Sequence, residues 1–280
     1  GHSAGAEAAI HAMSQVFEED GTDGVLLIDA TNAFNQMNRA AAMHNIRITC
    51  KEVALYIINT YRSPSRLFIS GGGEILSQEG TTQGDPLAMP WYAINTVHMI
   101  HSLRASTPQV KQVWLAGNLE SLYQWYKSLC QEGRKHGYIV NGAKSWLIVK
   151  SGEQAKNAKK VFGDEVNITL EGRRHLGAVI GSKAFKDQYC QEKVEKWLRE
   201  VESLAEISRS QPHAAYIAFT KGFKSKFTYC LRTIESFEEY VDPIEEIIHD
   251  SFLPSLFERF EPLPGEIKEL LTLSPAQGGI

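Results

Sequence analysis

Val25-Leu26-Leu27-Ile28-Asp29-Ala30-Thr31-Asn32-Ala33-Phe34 is the stretch on which the fold turns. Gly21 and Gly24 precede it, and four consecutive apolar residues predict a short strand buried on both faces. The strand runs straight into Asp29, holding a carboxylate at a sheet edge where a hard cation such as Mg2+ can be gripped. Taken alone, an Asp at a strand end is ordinarily a turn former or a helix cap. The surrounding sequence has to decide between these readings.

Working outward, Glu7 to Phe17 spaces its apolar residues as a helix, and a second helix is expected from Lys51 to Tyr61, closed by Ser63-Pro64. Leu67-Phe68-Ile69 reads as a strand and Gly71-Gly72-Gly73 as a tight turn. A polar loop from Ser77 to Asp85 leads into Pro86 at a helix start, with an apolar helix to about Leu103. Val113 to Ala116 is a short strand, and Asn118 can cap an amphipathic helix from Leu119 to about Lys135. Trp146–Val149 and Asn167–Leu170 read as strands with a helix between them. Beyond His175-Leu176-Gly177 the pattern is helical: Asp187 to Leu204, Gln211 to Ser225, then shorter acidic pieces. The fold class is α+β, with the helical part last.

The composition fits a globular chain. Of 280 residues 43% are hydrophobic and 22% charged, which excludes wholesale disorder. No apolar run approaches the ~20 residues of a membrane span, and the first twenty residues hold no signal-peptide block. The expectation is a soluble, intracellular protein with no membrane partner, nuclear or cytoplasmic being left open. Cys50, Cys130, Cys190 and Cys230 stand far apart, which suits a reducing compartment and argues against a disulfide framework or a zinc site. Charge is uneven: residues 234–280 carry eleven Asp and Glu against two Lys and Arg, and the preceding part has 27 Lys and Arg against 22 acids. That balance permits a local nucleic-acid patch, and equally a solvated surface.

Gly1-His2-Ser3-Ala4-Gly5 matches the G-x-S-x-G nucleophile elbow of serine hydrolases, but the elbow needs a strand immediately before it. A chance match in a small-residue loop is the better reading. Asp29 has stronger company, because Glu79-Gly80-Thr81-Thr82-Gln83-Gly84-Asp85-Pro86-Leu87 follows about fifty residues later.

Together these residues resemble the palm of reverse transcriptases, and Q-G-D-P-L is similar to the non-LTR retrotransposon and group II intron branch. The resemblance implies that Asp29 is a catalytic metal ligand, with Ala30 and Phe34 in the nucleotide pocket and Phe34 screening the sugar 2′ position. Gln83 and Gly84 would shape the nucleotide and template site. Gly137-Tyr138-Ile139-Val140-Asn141 through Lys144 resembles the motif whose lysine approaches the nucleotide phosphates, and His175-Leu176-Gly177 resembles the primer grip. The implied fold is a polymerase right hand: partial fingers and an antiparallel, helix-backed palm sheet over residues 1–182, and a helical thumb over residues 183–280. The implied activity is RNA-directed DNA polymerisation for a mobile element. It would use an RNA template, a DNA primer, deoxynucleoside triphosphates and Mg2+ or Mn2+, in a chain that is part of a longer polyprotein.

One motif departs from the family. Two-metal transfer needs several carboxylates converging from rigid elements, and the family supplies an Asp-Asp pair after the strand corresponding to Val113–Ala116. Here Gly117-Asn118-Leu119-Glu120 follows, and no Asp lies between Asp85 and Asp164. Glu120 is the nearest acid, but a place in the first helical turn suits it to complement the helix dipole. The chain is therefore expected to be inactive as a polymerase; the alternatives are a non-catalytic nucleic-acid-binding domain or a decayed fragment. Arg62 and Arg66 could meet template phosphates or be ordinary surface residues. Lys221, Lys224 and Lys226, interleaved with Phe223 and Phe227, could track a backbone or form a helix with its aromatics inward. If the resemblance holds, the strands ending at Asp29 and Ala116 are neighbours in one sheet.

Overall fold

The computed structural model describes residues 4–82, 84–106, 116–258 and 263–273. The chain is mixed α+β and divides into two compact units, Ala12–Leu170 and Glu171–Ile280 with Gly1–His11. Helix α1 (Gly5–Glu18) begins in the second unit and ends in the first.

The sheet-bearing unit continues with β1 (Gly24–Leu27), α2 (Ala33–Gln36), α3 (Arg39–Thr49) and α4 (Lys51–Tyr61). The hairpin β2 (Ser65–Ile69) and β3 (Gly73–Ser77) follows, turning through Gly71 and Gly72, both at positive φ. Next come α5 (Ala88–Ser106), β4 (Ala116–Gly117), α6 (Leu119–Lys135), β5 (Trp146–Val149), α7 (Gly152–Phe162) and β6 (Asn167–Thr169). The sheet order is β4-β1-β5-β6. Every residue of β1 is buried, as a central strand covered on both faces requires. Val25 stands opposite Ala116 in β4 and Leu26 opposite Leu147 in β5, both antiparallel. The expected neighbouring of these strands is therefore met. The expectation of a purely antiparallel sheet is corrected at its far side, where Leu147 pairs with Ile168 in parallel. Helix α7 lies between β5 and β6 in the chain, and such a crossover returns the second strand in the direction of the first.

Helix α6 shows why these segments pack. Asn118 caps it by accepting the Ser121 amide at 2.9 Å, and Leu122, Trp125, Tyr126 and Leu129 recur at helical spacing on the buried face. They meet Leu26 and Leu147 from the sheet and Phe162 from α7 in one core.

The helical unit opens with the hairpin β7 (Gly172–His175) and β8 (Ala178–Gly181), then α8 (Lys183–Ser208), α9 (Pro212–Ile217), a π-helical turn over Ala218–Phe223 and α10 (Lys224–Thr233). A 3-10 turn at Phe237–Tyr240 leads to α11 (Asp242–Ile247), a second π turn at Ile248–Phe252, α12 (Leu253–Leu256) and α13 (Gly265–Thr272). Tyr189, Trp197 and Val201 of α8 pack with Phe219, Phe223, Phe237 and Phe252. Ala178 and Val179 of β8 belong to the same core, so the compact division falls after Leu170, ahead of residue 182 where the sequence reading drew the boundary. Among the described residues no helix is long and apolar enough to cross a membrane.

Candidate functional site

Asp29 is half-buried and stands two residues beyond the end of β1. Its backbone continues the pairing that β1 begins. The Asp29 amide donates to Ser145 Oγ at 3.1 Å, the Asn141 amide donates to the Asp29 carbonyl at 2.8 Å, and Thr31 donates to the Ile139 carbonyl at 2.8 Å. Ser145, fully buried, donates its own hydroxyl to the Asn141 carbonyl at 2.8 Å. Ala30 and Val140 bridge the two segments. This is the join between the first and fourth motif segments, and it brings the turn Gly142–Lys144 to the same backbone, with Lys144 exposed.

Asn32, in left-handed conformation, turns the chain into α2, where the Phe34 ring lies 4.8 Å from that of Tyr92 in α5. Tyr138 completes the surroundings. Burial, with the charges of Tyr92 and Asp29 adding to it, pushes its hydroxyl up to about 12, and burial pushes Tyr92 up as well. Both phenols are therefore neutral hydrogen-bond donors at physiological pH. The Asp29 carboxylate and Tyr92 thus both act on Tyr138, and Tyr92 packs on Phe34.

The second motif loop is pressed onto the first. Thr81 donates to the Phe34 carbonyl at 2.8 Å. Arg39, only 5% exposed, donates from Nε to the Gly80 carbonyl at 2.8 Å and from Nη1 to the Ser77 carbonyl at 2.9 Å. Its backbone amide binds the Glu79 carboxylate at 2.8 Å, and its guanidinium lies 5.3 Å from the Tyr61 ring centre. Burial lowers the Arg39 pKa, with Glu79 and Tyr61 pulling the other way. Tyr61 in turn donates to Asp85, whose other oxygen accepts the Leu87 amide at 2.9 Å at the start of α5. Asp85 is thus spent on structure. Gly84 adopts φ +96 beside it, and Gln83 lies outside the described residues.

The primer-grip candidates sit in the helical unit. His175 and Ala178 close the β7–β8 hairpin, and Leu176 and Gly177 occupy its turn with φ of 50° and 86°. Positive φ at both central positions is the type I′ geometry that matches strand twist. Tyr189 donates to the Gly177 carbonyl at 2.9 Å and Tyr229 donates to that of Leu176. Burial lowers the pKa of His175.

Other candidates are used structurally. Glu120 lies in the first turn of α6, at the end of β1 remote from Asp29, since Gly24 pairs with Gly117. At ~3.3 Å per residue the run from Gly24 to Asp29 spans roughly 16 Å. Asp23 shares that remote end, accepting the Leu119 amide at 3.1 Å. Residues 107–115, outside the described set and including Val113 to Leu115, contain no Asp or Glu. Arg66 pairs with Glu74 at 3.1 Å on the surface. Phe223 and Phe227 each lie 6.4 Å from the Trp197 ring, so the aromatics of the basic cluster face inward, with Lys221 and Lys226 exposed. Ser3 of the G-x-S-x-G match lies outside the described residues.

Among the described residues no group of three His, Cys, Asp or Glu side chains could hold a metal ion, so the donors present do not fit a two-metal centre. Sequence reading missed Arg39, Tyr61, Tyr92 and Ser145. Their only local signal was an Arg and a Ser beside motif segments, and partners such as Tyr61 for Arg39 and Asp29 for Ser145 are 22 and 116 residues away in the chain. No protein-family model and no curated protein matches this chain.

Proposed function

We propose that this chain is a reverse-transcriptase-like domain of a mobile element, shaped for RNA-directed DNA synthesis, whose metal site is incomplete. The observation that carries the reading is the arrangement around β1. Asp29 stands at one end of the strand with Phe34 and the Lys144 turn on its backbone, and the acids nearest β4, Asp23 and Glu120, stand at the other. Phosphoryl transfer relies almost wholly on positioning and charge stabilisation, so one carboxylate leaves at most residual turnover. Asp29 would remain a weak cation contact, and Phe34, Tyr92 and Tyr138 a wall against which a nucleotide ring can lie.

Primer extension on an RNA template with a DNA primer tests this. With Mg2+ or Mn2+ the chain is expected to extend no faster than Asp29→Ala. Because Gly117 pairs with Gly24, an Asp-Asp pair inserted between Ala116 and Gly117 would stand at the end of β1 remote from Asp29 and should not raise extension above the parent. Extension by the parent at ordinary polymerase rates, abolished in Asp29→Ala, overturns the inactivity. Binding to an RNA–DNA duplex should persist at low salt and fall steeply toward physiological salt. No binding at low salt would leave the chain a remnant without a nucleic-acid role.

A further inference from the structure

A groove of about 680 Å3 lies in the helical unit between α8 and the π turn Ala218–Phe223. Leu204, Ala218 and Phe223 give it an apolar lining, and no side chain fills the space beside Gly222. Three cations, Lys196, Arg199 and Lys226, border it with a single acid, Glu200. Glu200 holds Lys226 at 2.7 Å and Lys196 at 3.8 Å, whereas exposed Arg199 has no ion-pair partner among the described residues.

The charge pattern selects the occupant. A phosphodiester backbone is held by several free cations, and here two of the three are engaged in ion pairs with Glu200, leaving Arg199 as the one cation of the lining without such a pair among the described residues. Base stacking needs exposed rings, and Phe223 and Phe227 are turned onto Trp197. A small amphiphile needs a pocket that encloses most of its surface, and this groove is open along one side. An apolar trough bordered by one free guanidinium instead complements a helix with an apolar stripe and a flanking carboxylate, the carboxylate meeting Arg199 through two parallel hydrogen bonds.

We propose that this groove docks an acidic amphipathic helix of a protein partner, with apolar side chains on Leu204 and Ala218 and a carboxylate on Arg199. The proposal does not depend on the polymerase reading, since every residue in it belongs to the helical unit.

The probe is a fluorescent, capped Leu/Glu helix of roughly five turns, with Leu at i, i+3, i+4 and i+7, and its Leu/Lys counterpart, read by anisotropy against the full chain. The Leu/Glu helix should bind and the Leu/Lys helix should not. Arg199→Glu should weaken the Leu/Glu helix roughly tenfold or more and give measurable binding of the Leu/Lys helix. Ala218→Trp, which fills the trough, should weaken the Leu/Glu helix without changing sign preference. Arg199 and Ala218 are exposed, and circular dichroism should show both variants folded. Equal binding of the two helices, an unchanged affinity in Arg199→Glu, or displacement of the probe by a single-stranded oligonucleotide or an anionic vesicle at lower concentration than by unlabelled Leu/Glu helix would each overturn the proposal.

Discussion

The Gly80 amide donates to the Met37 carbonyl at 2.9 Å, locking the loop after β3 onto the loop that follows Asp29. A Cβ on Gly80 would collide with the Phe34 carbonyl and the Asn35 backbone, and φ is +76 there. Gly137 meets the same segment, at φ +73 against Gln36 and Asn38. Residues 34–38 are thus closely approached by two glycines that admit no side chain.

Gly80→Ala and Gly137→Ala should each destabilise the sheet-bearing unit by about 2 kcal/mol or more, because strain and backbone displacement add. Gly222→Ala, which meets nothing within 4 Å and sits in a helical turn, should change stability little. Urea unfolding of the three variants checks the contrast.

Arg39 satisfies carbonyls on the Ser77–Gly80 loop while being almost wholly buried. Arg39→Met keeps much of the volume but strands those acceptors, and a loss of ~2–4 kcal/mol is expected. Arg39→Lys should recover less than half, since an ammonium cannot reproduce the planar fork. Thermal unfolding measures both.

Asn95 joins α3 to the end of α6. Its Oδ1 accepts from Asn45 Nδ2 at 3.1 Å and lies 3.1 Å from His136 Nδ1, and its Nδ2 donates to the His136 carbonyl at 2.9 Å. Nδ1 of His136 therefore carries the proton, and burial keeps the ring neutral by lowering its pKa. A depressed folded-state pKa means stability that is complete above the unfolded value of about 6.5 and is lost as pH falls below it. Unfolding free energy should drop between neutral pH and about pH 5, and His136→Gln should shallow that slope. His175 adds a contribution of the same sign in the helical unit.

Leu176 holds φ 50 in a type I′ turn and is 51% exposed, so it gains little from burial. Leu176→Asn should stabilise the helical unit by roughly 0.5–1 kcal/mol, because Asn tolerates the left-handed region. Tyr229→Phe, which leaves the Leu176 carbonyl to water, should remove about 1 kcal/mol. Denaturant titration separates the two signs.

The local pattern of residues determined a good deal. The apolar run Val25–Ile28 specified a buried strand with Asp29 just past its end, Asn118 marked the start of α6, and Gly71-Gly72-Gly73 marked a tight turn. These follow from periodicity and backbone preference, which act within a few residues. Helix α3 and the return strand β3 were not read, and the parallel partner of β5 was not foreseen, because direction is set by what a strand meets rather than by its own residues. The site divided in the same way. Asp29, Phe34 and Lys144 stood in recognisable motifs, whereas the burial of Arg39, the placing of Asp29 and the acids beside β4 at opposite ends of β1, and the inward turn of Phe223 and Phe227 were decided by tertiary packing. A charge or a ring takes its role from the neighbours that surround it, and those neighbours arrive from distant parts of the chain.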